Sequence, residues 1–455
     1  MNLNELKKYY MNSPLWLKKI YSTIPYEIRN GSDYRKWKKF LSQNLNIEEY
    51  KLLKLKETVA YAYENVPFYY KTFNKLGIDP SDINDLNNLR NFPLIDKKII
   101  EQKYDDFISK KIKSNKMFYV STGGSSGKSF KFYQSNNVWK KELAFHRHYL
   151  EERFSYCDRD KIASFRGGDF KDLKGNAFWI ENPIRNEIHF SPFKLSYKSA
   201  KYYVEKLNEV KPSFIFGYYS SIKNLISFIK DLKLTLNFVP KAVILISENI
   251  SNENLIEVYE FFKAEPFSYY AHSERIILAP LANDLSSYQI DYRYGFFDLI
   301  DNQGNTIEEE NKTGEIIGVS FDNYAMPLIR YRTGDFTKYL DFKNHKIDFV
   351  SGRWHQDFII GFNGERITSA MLNVHSEVFD KVYSYQFIQE SIGKVILYLI
   401  AGDNFSKEDL ESIEKAYKLK FGDSFLFEVN IGQSPILTER GKFKLIYNKL
   451  NEAFQ

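Results

Sequence analysis

Ser121-Thr122-Gly123-Gly124-Ser125-Ser126-Gly127-Lys128 puts three glycines, four hydroxyls and a lysine into eight residues. The glycines let backbone N–H groups turn inward, the hydroxyls add donors and the lysine adds charge, which together suit a polyphosphate. The flanks, 116–120 and 129–133, carry strand signals. A phosphate loop of the Walker type needs glycine where Thr122 stands and a helix after the lysine, whereas Phe130-Lys131-Phe132-Tyr133 reads as a strand. The stretch therefore predicts an anion-binding loop between two strands; taken alone, it also suits a plain Gly/Ser hairpin.

Around this loop the pattern is that of an enzyme-sized α/β protein. Of 455 residues, 43% are apolar and 17% aromatic, and 38 Phe and 34 Tyr suffice for two or three domain cores. Disordered, fibrous and disulfide-scaffold classes are excluded. Lys and Arg number 64 against 58 Asp and Glu, dispersed along the chain, so no nucleic-acid footprint is expected. Cys157 is the only cysteine, which excludes an internal disulfide and a cysteine-based zinc site. The longest apolar runs, such as 395–401, fall far short of the ~18 residues of a membrane span, and the first residues do not read as a signal peptide. A cytoplasmic protein with no transmembrane segment is expected. Leu15, Trp16, Leu17, Ile20 and Tyr21 stand among Lys7, Lys8, Lys18 and Lys19, a pattern that suits a membrane surface. A helix packed on the protein body is the favoured expectation there.

From Ile47 to about Lys110, apolar residues at helical spacing broken by Pro67, Pro80 and Pro93 predict short helices joined by proline turns. Asn136 is the expected cap of a helix with a stripe of Trp139, Leu143, Leu150 and Phe154. Strands are predicted at 213–216, 242–246 and 267–270, and polar turns at 301–304 and 311–314. The texture changes near Gly352. A large domain over 1–351 and a small α+β domain over 352–455 are expected, with the boundary in 351–357. The small domain should hold strands near 382–388, 395–400 and 425–431 and helices near 369–379 and 407–420.

Further chemistry-bearing segments follow. Tyr269-Tyr270-Ala271-His272-Ser273-Glu274 ends a predicted strand with a ring, a hydroxyl and a carboxylate, able to stack a base, touch a phosphate and hold Mg²⁺. In Arg330-Tyr331-Arg332-Thr333-Gly334-Asp335 the aspartate after a glycine turn can take both hydroxyls of a ribose. Gly352-Arg353 and Gly441-Lys442 each set a cation beside a glycine. Taken singly, these are a surface glutamate, an Asx turn and solvated basic turns.

Their order resembles the adenylate-forming superfamily of acyl-CoA synthetases, and within it the phenylacetate-CoA ligase branch with the capsule-polysaccharide adenylation proteins. The resemblance runs from Asn65-Val66-Pro67-Phe68-Tyr69 and Phe92-Pro93-Leu94-Ile95-Asp96-Lys97 through the glycine loop, Gly217-Tyr218, Ser247-Glu248, Tyr270–Glu274 and Tyr331–Asp335 to Arg353 and Lys442. It implies that Ser121, Thr122, Gly123, Gly124, Ser125, Ser126, Gly127 and Lys128 hold the β- and γ-phosphates and that Ser247 and Glu248 join the nucleotide site. Tyr270 would stack on adenine, Ser273 would approach the α-phosphate, Glu274 would bind Mg²⁺, and Asp335 would take the ribose hydroxyls. Arg353 would contact ribose or phosphates near a hinge, and Lys442 would bridge carboxylate and α-phosphate. Catalysis would then rest on Lys442, Glu274 and Ser273.

Two positions depart from the family pattern. His355-Gln356 replaces the usual hinge Asp-Asp, with a carboxylate only at Asp357, and Ala271 stands where relatives have glycine. His146 and His148, two apart on a helix, do not form a metal site. The resemblance implies an ATP- and Mg²⁺-dependent ligase acting on a small carboxylic acid. The acceptor would be an amine or hydroxyl in polysaccharide or metabolite biosynthesis, or the thiol of CoA. The alternatives are a nucleotidyltransferase that leaves AMP on its product and a nucleotide-binding scaffold. The acid pocket is expected around Phe165-Arg166-Gly167-Gly168 and Gly217-Tyr218-Tyr219.

Overall fold

The computed structural model describes residues 13–122, 130–167, 177–350, 358–368, 372, 374, 379, 381–402, 404–433, 436 and 445–450. The chain divides into two compact units. The first comprises Met1–Val120, Lys131–Asp158 and Ser268–Arg353, the second Ser121–Phe130, Arg159–Phe267 and Trp354–Gln455.

The first unit opens with helices α1 (Leu15–Ser22), α2 (Tyr26–Leu41), α3 (Ile47–Asn65), α4 (Pro67–Leu76) and α5 (Lys97–Gln102). Their boundaries are written in the sequence. Asn46 accepts the Glu49 N–H at the start of α3, Asp96 accepts the Ile99 N–H at the start of α5, and Pro67 opens α4, where its missing N–H costs nothing. α3 buries Leu55, Val59 and Ala62, and α4 buries Tyr69 and Phe73. α1 departs from expectation: none of its residues is buried, so it does not pack on the body as the favoured reading required.

Strands β1 (Met117–Thr122) and β2 (Phe130–Ser135) form the two-stranded sheet expected around the glycine loop. α6 (Asn136–Phe154) follows, but its N-cap is Ser135 and its buried residues are Val138, Lys141, Ala144, Phe145, Tyr149 and Leu150. The expected stripe is therefore rotated: of its four residues only Leu150 is buried, and Trp139, Leu143 and Phe154 lie outside the buried face, to which Lys141 contributes instead.

The second unit contains β3 (Ile162–Phe165), β4 (Trp179–Asn182), β5 (Glu187–Phe190), α7 (Ala200–Val210), β6 (Phe214–Gly217), α8 (Tyr219–Asp231), β7 (Ala242–Leu245) and α9 (Asn252–Phe262). The strands lie in the order β4-β5-β3-β6-β7. Neighbours from β5 to β7 run parallel, and only β4 is antiparallel. All residues of β3 and β7 are buried, as strands covered on both faces must be.

The chain then runs through β8 (Glu265–Ala271), β9 (Leu278–Pro280), β10 (Tyr288–Gln289), β11 (Phe296–Ile300), β12 (Thr313–Val319), β13 (Tyr331–Asp341) and β14 (Lys346–Ile347). In the first unit, β8 pairs antiparallel with β9 through Tyr270↔Ala279, and an antiparallel sheet is ordered β10-β14-β13-β12-β11. Asp301 Oδ1 accepts the N–H groups of Gln303 and Asn305, which makes the expected turn before β12.

The rest of the second unit is β15 (Phe358–Ile360), β16 (Arg366–Thr368), β17 (Val382–Ser391), β18 (Lys394–Ala401), α10 (Lys407–Phe421), β19 (Leu426–Ile431) and β20 (Ile446–Asn448). The sheet order is β19-β18-β17-β20, the strand–helix–strand pattern read from the sequence. Leu397, Leu399, Phe387, Ile413, Tyr417 and Phe421 share one core with Phe193. The helix expected near 369–379 falls mostly outside the described residues, as does the whole of 351–357.

Candidate active site

Burial along β8 places Tyr270 inward, and its hydroxyl donates to Asp335 Oδ2 at 2.9 Å. Burial pushes the Tyr270 phenol well above its ordinary range, and the neighbouring Asp335 charge adds to this, so it stays a donor at any working pH. Asp335 is itself positioned by its strand. The Gly334 N–H donates to Glu315 Oε1 at 3.1 Å in a left-handed conformation (φ 75) that favours glycine. The Asp335 N–H donates to Thr333 Oγ1 at 3.1 Å, and Thr333 Oγ1 donates to the Ile316 carbonyl at 2.9 Å.

After Ala271 the chain turns, with the Arg275 N–H donating to the His272 carbonyl at 3.0 Å. Glu274 is brought to Tyr331, whose hydroxyl donates to Oε1 at 2.9 Å, while His272 Nδ1 stands 3.3 Å from Oε2. Burial works against the Glu274 charge, but contact with His272 and the Tyr331 hydroxyl outweigh it and hold the carboxyl below its usual range. The side chain keeps 15% of its surface exposed, enough for a ligand to reach. Next to it, Gln134 Nε2 donates to the Ser273 carbonyl at 2.7 Å.

Two buried polar atoms at this point, Gln134 Oε1 and His272 Nε2, have no hydrogen-bond partner among the described residues, and His272 Nδ1 meets the Glu274 carboxylate. Buried polar atoms are rarely left so, and a pair of them beside an ionised carboxylate marks a place prepared for a ligand. No group of three His, Cys, Asp or Glu among the described residues makes a metal cage. A single ionised carboxylate beside the exposed Ser273 suits Mg²⁺ of the kind that shares its shell with phosphates and water.

The segment Phe92–Lys97 is drawn to the same strand. Ile95 bridges Tyr331, with the Ile95 N–H donating to the Arg330 carbonyl at 3.2 Å and the Arg332 N–H to the Ile95 carbonyl at 2.8 Å. The buried Arg330 guanidinium donates to the Arg90 and Phe92 carbonyls at 2.7 and 2.5 Å.

The structure thus brings Tyr270, Ser273, Glu274 and Asp335 together in the first unit. Ser121 and Thr122 end β1, while Gly123, Gly124, Ser125, Ser126, Gly127, Lys128, Arg353 and Lys442 lie outside the described residues. In the second unit, Ser247 and Glu248 follow β7. The Glu248 carboxylate accepts the Ser220 N–H at 2.8 Å and the Ser220 hydroxyl at 2.7 Å, at the N-terminus of α8, where it meets orphan donors and the helix dipole. At the carboxyl ends of β3 and β6, the usual edge for ligands in a parallel sheet, the Tyr218 hydroxyl packs against Gly167, and Arg166 pairs with Glu187 at 3.2 Å. Burial raises the Glu187 carboxyl, and Arg185 and Arg166 overcome this to hold it at about 2.

Sequence reasoning assigned no role to Gln134, His272 or Tyr331. Tyr331 did stand inside the Arg-Tyr-Arg-Thr-Gly-Asp segment; nothing local marked Gln134.

Comparison with known proteins bears on this arrangement. The family model of the CapK C-terminal domain matches residues 359–449. Protein CapK of Staphylococcus aureus is 25% identical over 97% of this chain and 99% of its own length. A phenylacetate-coenzyme A ligase of Pseudomonas putida is 23% identical over 65% of this chain and 67% of its own. The crystal structure of 2-hydroxyisobutyryl-CoA ligase in complex with 2-HIB-AMP and CoA covers 90% of this chain and 91% of its own, with a TM-score of 0.57 and 15% identity, and shows a shared fold. Taken together, the matches support the adenylate-forming superfamily, in the branch that holds CapK and the phenylacetate-coenzyme A ligases, as what this chain is similar to.

Proposed function

We propose that this chain is an ATP-dependent ligase that joins a carboxylate to the α-phosphorus of ATP, releases pyrophosphate, and passes the acyl group of the acyl-adenylate to a nucleophile. The observation that carries this reading is the pairing of Tyr270 with Asp335 and of Tyr331 with Glu274, each at 2.9 Å, beside the unpartnered atoms of Gln134 and His272. Two carboxylates are held ionised or oriented by tyrosines a few residues apart on β8 and β13. That is how a site keeps one carboxylate for ribose hydroxyls and another for a cation.

In this reading Asp335 accepts from the ribose, the Tyr270 ring flanks the base, Ser273 donates to the α-phosphate and Glu274 holds Mg²⁺. Mg²⁺, when bound, neutralises phosphate oxygens so that a second anion can approach. Ser121–Lys128 cradles the outer phosphates. Ser247 and Glu248 border the nucleotide, Glu248 by fixing the start of α8 through Ser220. Lys442 and Arg353 supply the remaining cations around the transition state. Residues 352–455 turn about 351–357 between the two half-reactions, bringing Lys442 in for the first. Such a turn exchanges the contacts of Phe193, whose ring meets Phe421 at 4.9 Å and whose carbonyl accepts from Ser424 Oγ at 3.1 Å.

An amine or hydroxyl acceptor in polysaccharide or metabolite biosynthesis is favoured by the similarity to CapK, which spans nearly all of both chains. The CoA thiol is the second reading, favoured by the phenylacetate-coenzyme A ligase match. A cytoplasmic reaction is the reading that accords with use of ATP. The test is product analysis after incubation with ATP, Mg²⁺, a panel of acids and either CoA or amine and hydroxyl acceptors. Free AMP equal to acyl product is expected. AMP retained on the product would make the chain a nucleotidyltransferase, and failure to bind ATP or AMP at millimolar concentration would remove the enzyme reading altogether.

A further inference from the structure

α1 and the turn after it expose Leu15, Trp16, Leu17, Ile20, Tyr21 and Ile24, and Ile28 continues the patch. Trp16 is 63% exposed and Ile20 58%. At 100° per residue, Trp16, Ile20, Leu17 and Tyr21 fall within an arc of about 140°, with Ser22, Lys18 and Lys19 on the other side together with the helix's first residue, Leu15. The order within the arc is informative. The aliphatic Ile20 and Leu17 occupy its middle, and the amphipathic Trp16 and Tyr21 its two margins, the distribution of side chains that sit at a headgroup boundary.

Charge points the same way. The first 30 residues hold five cations, Lys7, Lys8, Lys18, Lys19 and Arg29, against Glu5 and Glu27, a net +3 out of +6 for the whole chain. Half the net charge thus lies in one fifteenth of the length, in the stretch of sequence that also carries the exposed apolar face. A second copy of the chain would bring the same lysines face to face across a twofold contact, whereas an anionic surface complements them. No helix among the described residues is long and apolar enough to cross a membrane. A helix of eight residues with this pattern is of the kind that lies in the interface plane.

We infer that α1 docks the protein onto an anionic lipid bilayer, its Trp16–Tyr21 face entering the headgroup region and Lys18 and Lys19 meeting lipid phosphates. The test uses the full-length protein in flotation with phosphatidylcholine vesicles, with and without phosphatidylglycerol, at low and high salt. Binding is expected only to the anionic vesicles, weakened by salt, with a blue shift of tryptophan emission that is absent from Trp16→Phe. Trp16→Glu with Ile20→Glu should lower partitioning at least ten-fold. Lys18→Gln with Lys19→Gln should lower it about 25-fold at low salt, at about five-fold per lysine. These side chains are exposed or half-buried, so thermal unfolding should stay unchanged. Equal binding to neutral vesicles, no binding to anionic ones, or full binding by the double glutamate variant overturns the inference. So does self-association without vesicle binding that the same variant abolishes, which would assign the face to a second copy.

Discussion

Among the ionised side chains that the first unit holds away from solvent, those around Asp322 and those around Glu274 are finished differently. Around Asp322, Lys54 Nζ donates to Oδ1 at 2.8 Å and Lys141 Nζ to Oδ2 at 2.6 Å. Lys141 Nζ also donates to the Tyr294 carbonyl at 2.6 Å and lies over the rings of Trp37 and Tyr294 at 4.8 and 4.9 Å. Both carboxylate oxygens are used, and the amine has a carboxylate, a carbonyl and two rings. Around Glu274, by contrast, a tyrosine and a histidine approach the carboxylate, and Gln134 and His272 keep polar atoms without partners among the described residues. A closed cluster holds a fold together, and an open one has been left for something to arrive.

Substitution should separate the two, the largest effect coming from the closed cluster. Asp322→Asn leaves Lys141 buried without its counter-charge, so the unfolding free energy from urea titration should fall by about 3–5 kcal/mol, with ATP affinity per folded molecule unchanged. A wild-type denaturation midpoint would mean that the cluster is decorative. Glu274→Gln should do the reverse: pyrophosphate exchange falls on the order of 10²- to 10³-fold, while stability moves by no more than about 1 kcal/mol. Equal damage to both in either variant would erase the distinction.

Tyr331→Phe should act more weakly, because it removes one hydrogen bond to an ionised acceptor, about 1.5–3 kcal/mol at most. The Tyr331 hydroxyl favours the charged form of Glu274, so without it the carboxyl rises toward its ordinary range. The acid limb of the kcat/KM profile should therefore move to higher pH in Tyr331→Phe. An unmoved limb would mean that Glu274 does not act as a carboxylate. The smallest effect is a pH dependence of the first comparison. Burial raises the Asp322 carboxyl, but Lys141 and Lys54 outweigh it and hold it below its usual range. Its contribution is thus present above the unfolded value of about 3.9 and lost as pH falls through the lower folded value. The stability gap between the wild type and Asp322→Asn should shrink as pH falls below about 4; a gap that stays constant there would contradict the pairing.

Legibility in the sequence followed the range of the interaction. The β8 end with Tyr270 and Glu274 and the parallel strands at 214–217 and 242–245 could be read from alternation and turn residues within a few positions, whereas the segment bearing Asp335 read as a turn and is part of a strand. The rotation of α6 could not, since counting apolar residues treats Lys141 as solvent-facing, and only Asp322, 181 residues away, makes its burial tolerable. Tyr331 and Glu274 are 57 positions apart, and Ser220 and Glu248 are 28, so neither pairing leaves a local trace. α1 was misread for the opposite reason: its local pattern suits a packed helix and a surface helix alike, and only its exposure tells them apart.

The reaction is reached most directly by carboxylate-dependent exchange of labelled pyrophosphate into ATP, run with a panel of acids on the wild type, Glu274→Gln and Lys442→Ala. The expected result is exchange that needs one class of acid and Mg²⁺, drops on the order of 10²-fold or more in both variants, and survives omission of every acceptor. Lys442→Ala should still process acyl-adenylate supplied to it. Exchange absent with every acid from a protein that binds ATP, or undiminished in Glu274→Gln, would contradict acyl-adenylate formation at this site.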